Sequence, residues 1–206
     1  AKEHVELEVT MESLRHEVEA KFPELAGRLG GFVALEDPLR RAKATYAEAM
    51  RGVSGLDRLE AYKEQRDPNL KQDEGDFETL YAQAAVAQKI LVESLRKLRD
   101  DVKDPGVKGR PRSLQKLAND YGGDARYLKD LSRATILCET PDELLDVLNR
   151  LTSVGLEIAQ VNNKFASPTP MGYRDFNLNV RVRVPFDDRS THIAEFQLNL
   201  KSIADA

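Results

Sequence analysis

The chain has 206 residues, with 31 Lys and Arg against 35 Asp and Glu, a net charge of −4, 41% apolar residues, three His and one Cys. It is too apolar for a disordered tail and too acidic for general nucleic-acid binding, and its length suits one or two domains. A lone Cys excludes a disulfide framework and a thiolate zinc cage, and His4, His16 and His192 have no ligand spacing. No apolar run reaches the ~20 residues that span a bilayer, and no signal peptide leads the chain. These features predict a soluble globular domain in a reducing compartment, with no membrane partner. The opening Ala, and a strand-like segment close to the last residue, predict a domain excised from a longer protein.

The first hundred residues read as helices. Val5, Val9, Leu14, Val18 and Phe22 form an apolar stripe with charges between them. Asp37–Pro38 predicts a helix start, running to about Arg51. A short helix is predicted over Asp57–Gln65 and a polar loop over Arg66–Asp76. Phe77–Arg99 gives the longest helical pattern, with Leu80, Ala84, Ala87, Leu91, Leu95 and Leu98 on one side. The period changes after Asp104–Pro105–Gly106. A short helix over Ser113–Asn119 precedes a strand over Leu131–Cys138. Thr140–Pro141–Asp142–Glu143 then combines a cap, a first-turn proline and N-terminal carboxylates, predicting a helix to about Ser153. Strands follow over Leu156–Val161, Phe176–Val184 and Ile193–Leu200, the second alternating Phe176, Leu178, Val180, Val182 and Val184 with Asn177, Asn179, Arg181 and Arg183. The pattern predicts an α+β fold: a mixed sheet flanked by helices over 105–206, with a helical region over 1–104.

Three features carry chemistry. Residues 108–133 hold Lys108, Arg110, Arg112, Lys116, Arg126, Lys129 and Arg133 against three Asp, a local net charge of +4. Such a cluster is either a solvated basic face or a polyanion site, since Arg and Lys both suit phosphate oxygens. Glu195 interrupts an apolar strand; it either faces solvent on an edge or belongs to a site holding a metal or a proton. Together with Asp130 it would supply the one or two carboxylates that Mg²⁺ takes beside substrate phosphates. Gly172–Tyr173–Arg174 follows a proline-containing turn and enters a strand. Tyr173 there either packs or stacks on a base, with Arg174 reaching phosphate.

From about Val107 to Ile203 these residues resemble the synthetase domain of RelA/SpoT-type alarmone synthetases and related toxin domains. Five blocks stand in the family's order: Arg110-x-Arg112-Ser113-x-x-Lys116, Lys129–Asp130–Leu131, Val161-x-Asn163-Lys164-Phe165-x-x-Pro168, Gly172–Tyr173–Arg174, and Glu195-x-Gln197-Leu198. The resemblance implies a nucleotidyltransferase-like sheet and a Mg²⁺-dependent pyrophosphokinase. ATP would donate pyrophosphate to a ribose hydroxyl of an adenosine or guanosine nucleotide, releasing AMP. Asp130 and Glu195 would be catalytic and metal-binding. Lys108, Arg110, Arg112, Ser113, Lys116 and Arg133 would bind ATP, and Lys164, Tyr173, Arg174, Asn177 and Gln197 the acceptor.

The sequence also departs from the family pattern. Thr135 stands where an Arg is usual, with Arg133 two residues earlier on the same strand face, roughly 7 Å away at ~3.3 Å per residue. Met171, Asp175, Asn177 and Asn199 replace the usual Asn, Ser, His and Arg. The Asp130–Ile136 variant is closer to toxin or effector members, which implies action in a bacterial cytosol and a cognate inhibitor or immunity protein as partner. No His-Asp dipeptide of the family's hydrolases occurs, so synthesis without hydrolysis is expected. Two other readings stand beside this one. The acceptor could be a tRNA end, although the basic tract is already assigned to ATP. Alternatively, the domain is a decayed module that binds nucleotide or a partner.

Overall fold

A computed structural model describes residues 38–185 and 190–206. The stripe from Val5 to Phe22 and most of the turn expected over Phe186–Thr191 lie outside the described residues. The chain divides into two units, Ala1–Thr45 and Tyr46–Ala206, and among the described residues the strands all lie in the second.

In chain order, the helices are α1 (described over 38–49), α2 (Leu56–Glu60), α3 (Phe77–Arg96), α4 (Arg110–Asp120), α5 (Pro141–Arg150) and α6 (Lys201–Ala204). The strands are β1 (Arg133–Cys138), β2 (Glu157–Asn163), β3 (Phe176–Arg183) and β4 (Thr191–Leu200). They form one sheet in the order β1-β4-β3-β2, with β1 and β4 parallel and the other neighbours antiparallel. This is the mixed α+β sheet expected from the sequence.

The helix starts follow from their residues. Asp76 caps α3 by accepting from the Thr79 N–H at 2.9 Å, and Thr140 caps α5 by accepting from the Glu143 N–H at 3.3 Å. Pro141 occupies the first turn of α5, where its missing N–H costs nothing. Gly155, at φ 82°, takes the left-handed position that ends the following 3₁₀ turn.

Strand alternation then sorts the two sheet faces. Ala134, Ile136, Leu178, Val180, Phe196 and Leu198 pack with Ala87, Leu91 and Leu95 of α3 and with Leu144, Val147 and Leu148 of α5. The break in sequence texture near residue 104 is therefore not a break in the fold. The apolar side of α3 is part of the sheet's own core, and the unit extends back to Tyr46.

Two buried glutamines secure the backbone around this core. Gln72, in the segment expected to be a polar loop, donates to the Leu128 and Ile193 carbonyls and accepts from the Ile193 N–H, each at 2.8 Å. Gln88 on α3 accepts from the Arg133 N–H and donates to the Arg133 carbonyl, both at 2.8 Å, and also donates to Asp104 at 2.6 Å. It fixes the start of β1. Cys138 is buried, as a small apolar residue would be, and burial pushes its thiol up to about 12.

Candidate active site

The sheet face not covered by α3 and α5 is polar. Register places Arg133, Thr135, Glu195, Gln197, Asn177 and Asn179 on it, because Arg133 pairs with Glu195, Thr135 with Gln197, Asn177 with Gln197 and Asn179 with Glu195. Glu195 lies in a central strand, not on the edge that its solvent-facing alternative required. The Gln197 amide donates to Glu195 Oε1 at 2.6 Å. Burial, reinforced by the nearby charge of Asp130, raises the Glu195 carboxyl above its ordinary value. Arg133, Ala134, Thr135, Glu195, Gln197 and Pro105 line a cavity of about 260 Å³. The displaced arginine thus does reach the Glu195 cavity, and its Nε is buried without a partner.

β1 begins at Arg133, two residues later than the expected Leu131, so Asp130 stands on the approach to the strand. The approach is anchored by the Lys108 N–H donating to the Leu131 carbonyl at 2.8 Å, and by the Tyr81 hydroxyl donating to the Lys108 carbonyl at 3.0 Å. Lys108 and Lys116 both donate to Asp130 Oδ2, at 2.6 and 2.7 Å. Burial alone would raise the Asp130 carboxyl, but the two ammonium groups hold it below the usual carboxylate range. Its Oδ1 is buried with no hydrogen-bond partner. An orphaned carboxylate oxygen near a second acid suits a hard cation. Among the described residues no group of three His, Cys, Asp or Glu could hold a metal, so phosphate or water oxygens would have to complete such a site.

Lys108, Arg112, Gln115, Lys116, Asn119 and Asp120 line a second cavity, of about 310 Å³. Arg112, Gln115, Lys116 and Asn119 recur at helical spacing, presenting one stripe of α4 to it. The basic cluster is therefore partly a built site and partly a solvated face. Arg110 is ion-paired with Glu78 and lies over the Phe77 ring at 5.4 Å, so it does not join the others. Ser113 does not face a ligand either. It is fully buried, and its hydroxyl donates to the Gly109 carbonyl at 3.1 Å, a bond inside the helix start.

The predicted acceptor residues divide in the same way. Asn177 and Gln197 share the polar sheet face. Lys164 donates to Asp175 at 2.8 Å and lies 5.6 Å from the centre of the Tyr173 ring. The Tyr173 hydroxyl donates to Asp175 Oδ2 and accepts from Asn199, both at 3.1 Å, while its ring meets Tyr46 edge-on at 5.7 Å. Burial and the Asp175 charge raise its phenol. Asp175 and Asn199, two of the departures from the family pattern, thus act together as the clamp on this tyrosine. Arg174 does not converge on the acids. It donates to Glu60 at 2.8 Å and to the Phe165 carbonyl at 2.7 Å.

Sequence reasoning missed Thr135 and Pro105 in the first cavity, Gln115 and Asn119 in the second, and Asn179 opposite Glu195. Asn179 was visible as a polar member of an alternating strand, but its partner depends on register.

No family model matches the chain. The chain is 33% identical over 81 residues to the (p)ppApp synthetase toxin Tas1 of Pseudomonas aeruginosa, a match spanning 38% of this chain and 18% of that protein. The solved small alarmone synthetase 2 of Bacillus subtilis superposes with a TM-score of 0.54 at 20% identity, covering 63% of this chain and 75% of that one. The chain thus shares the fold of that small alarmone synthetase. A structure of Tas1 with its immunity protein gives a TM-score of 0.47 at 29% identity, over 60% of this chain and 61% of that one. The RelA/SpoT-type resemblance drawn from the five sequence blocks agrees with the partial match and with the fold. Among the described residues no helix is long and apolar enough to cross a membrane.

Proposed function

We propose that this domain is a pyrophosphokinase that moves the β,γ-diphosphate of ATP to a ribose hydroxyl of a purine nucleotide. The observation that carries the reading is the pairing of two unlike acids. Asp130 is held ionised by Lys108 and Lys116, while Glu195 is raised by burial beside a cavity. Separating the environments of two carboxylates is how a site assigns charge stabilisation to one and proton transfer to the other.

In this reading Glu195 takes the proton of the acceptor hydroxyl as its oxygen bonds to the β-phosphorus. The bond from that phosphorus to the α,β-bridging oxygen breaks, and AMP leaves. Phosphoryl transfer asks the protein chiefly for positioning and charge neutralisation. Lys108, Arg112 and Lys116 bind and orient the donor phosphates. Arg133 faces the developing charge from the Glu195 side, and Tyr173, Asn177 and Gln197 position the acceptor. Asp130 Oδ1 and Glu195 would hold Mg²⁺, which supplies Lewis-acid neutralisation of phosphate charge when bound. The domain synthesises and does not hydrolyse. The partial match to a toxin makes a cognate inhibitor the protein partner to seek and a bacterial cytosol the site of action.

The test is chromatography of reactions holding ATP, Mg²⁺ and each of AMP, ADP, GMP, GDP, GTP or bulk tRNA, with wild type and Glu195→Ala. AMP release with a diphosphorylated nucleotide product, lost in Glu195→Ala, is expected. Label transferred only to RNA would identify a tRNA-end enzyme. Tight nucleotide binding without turnover would identify a decayed module.

A further inference from the structure

The pairing of β3 with β4 places an amide against the proposed base. The Glu195 N–H donates to the Ser132 carbonyl at 2.9 Å, so its backbone polar groups point toward β1 and away from β3. At the other end of the ladder, the Val184 N–H donates to the Ser190 carbonyl at 3.1 Å. Counting in twos from there makes Leu178–Phe196 a hydrogen-bonded pair and Asn179–Glu195 a non-hydrogen-bonded one. Side chains approach most closely across pairs of that second kind, with Cβ atoms about 4.5–5.5 Å apart.

Asn179 is only 7% exposed, yet among the described residues its amide has no hydrogen-bond partner. It is not sealed off, since the buried orphan atoms are Asp130 Oδ1, Arg133 Nε and the two His192 ring nitrogens. A nearly buried amide that still reaches solvent beside a reactive carboxylate retains unused hydrogen-bonding capacity. Glu195 Oε1, by contrast, is already oriented by Gln197 from the next position on the same face. The site therefore presents one acid and one free neutral amide, side by side.

We propose that Glu195 and Asn179 together read the vicinal diol of the acceptor's ribose: Glu195 engages the attacking hydroxyl, and the Asn179 amide hydrogen-bonds its neighbour. This rests on the function proposed above and deepens it, making Asn179 the residue that selects ribonucleotides over deoxyribonucleotides. Neutral amides suit a hydroxyl, which both donates and accepts, better than they suit a phosphate. A site built to hydrogen-bond a hydroxyl discriminates strongly against an analogue lacking it, because the amide is then left unpaired.

The experiment compares AMP release by wild type, Asn179→Ala and Asn179→Thr, with the preferred ribonucleotide acceptor and its two monodeoxy analogues. Removing the attacking hydroxyl abolishes transfer in every protein. Removing its neighbour should lower wild-type kcat/KM for the acceptor by about tenfold or more. In Asn179→Ala the ribonucleotide should fall to the rate of that deoxy analogue, while the analogue itself is unchanged and the KM for ATP stays within about twofold. A merely structural role would slow both acceptors equally and so overturn the assignment. Asn179→Thr, which suits a strand and keeps a shorter hydroxyl, should restore part of the discrimination. Equal wild-type rates on ribonucleotide and deoxy acceptor would overturn the proposal whatever the variants do. A wild type that releases no AMP with any acceptor would overturn the function and this assignment together; an active but indifferent one overturns only the second.

Discussion

The two halves of the site are built from opposite materials. Around Asp130 the protein supplies formal charge: Lys108 and Lys116 meet one carboxylate oxygen, and Arg112 extends the field along α4. Around Glu195 it supplies neutral amides, from Asn177, Asn179 and Gln197, with the guanidinium of Arg133 on the neighbouring strand. The same chemical group is consequently an acid held ionised in one half and a carboxyl raised toward neutrality in the other. Like residues acquire unlike roles from solvation and neighbours, and two Asp or Glu letters in a sequence cannot show that.

The difference can be broken most directly at the amide side. Glu195→Gln keeps shape and hydrogen bonding but removes the proposed base, so transfer should fall by about 10²–10⁴-fold while ATP binding persists, as calorimetry would show. Replacing Asp130 with Asn should also cost activity. It leaves two ammonium groups without their carboxylate, so it should in addition lower thermal stability, a loss the Glu195 variant should not share.

The pH profile sharpens the contrast. Glu195 must be ionised to accept a proton and its carboxyl is raised, so kcat/KM should fall, on acidification, at a pH above the ordinary Glu value of 4.5. An acidic limb that is unchanged in the residual activity of Glu195→Gln would show that Glu195 is not the base.

Stability offers an independent measure, remote from the chemistry. His192 is buried on the helix-covered face with neither ring nitrogen bonded, and burial lowers it from 6.5 to about 4. Its depressed value means that the unfolded chain binds the extra proton. The stability linked to His192 is complete above about pH 6.5 and is lost as pH falls toward 4. Between about pH 7 and about pH 5 that amounts to about 2 kcal/mol. Urea unfolding of wild type should show this loss, and His192→Leu should show about that much less. The smallest effect is expected at Arg110. Its partner Glu78 is exposed, so Arg110→Ala should change activity by less than about threefold, while Arg112→Ala costs about tenfold.

Much of the molecule is legible in the sequence. Thr140–Pro141 announces α5, strict alternation announces β3, and a carboxylate inside an apolar run draws attention to Glu195. The features that escape depend on pairings between distant segments. Gln72 and Gln88 look like ordinary exposed residues until one sees that each satisfies the backbone of a strand more than forty residues away. Ser113 and Arg110 belong to a motif that resembles a phosphate site, yet their partners are a helix carbonyl and an exposed glutamate. Tyr173 is recognisable as a candidate from its place in Gly172–Tyr173–Arg174. That Asp175 and Asn199 fasten its hydroxyl is not, because as letters those two positions are only departures from a pattern.

The strand order has a consequence in time. β4 follows the other described strands in sequence, yet it lies between β1 and β3. A ribosome delivers Asp130 and both its lysines, then the amides of β3, and only then the strip that closes the gap and brings Glu195 between them. Until that insertion Glu195 has no place opposite Arg133 and Asn179, and β1 and β3 are not joined. A chain that stops short of β4 therefore lacks the second acid and the continuous sheet together.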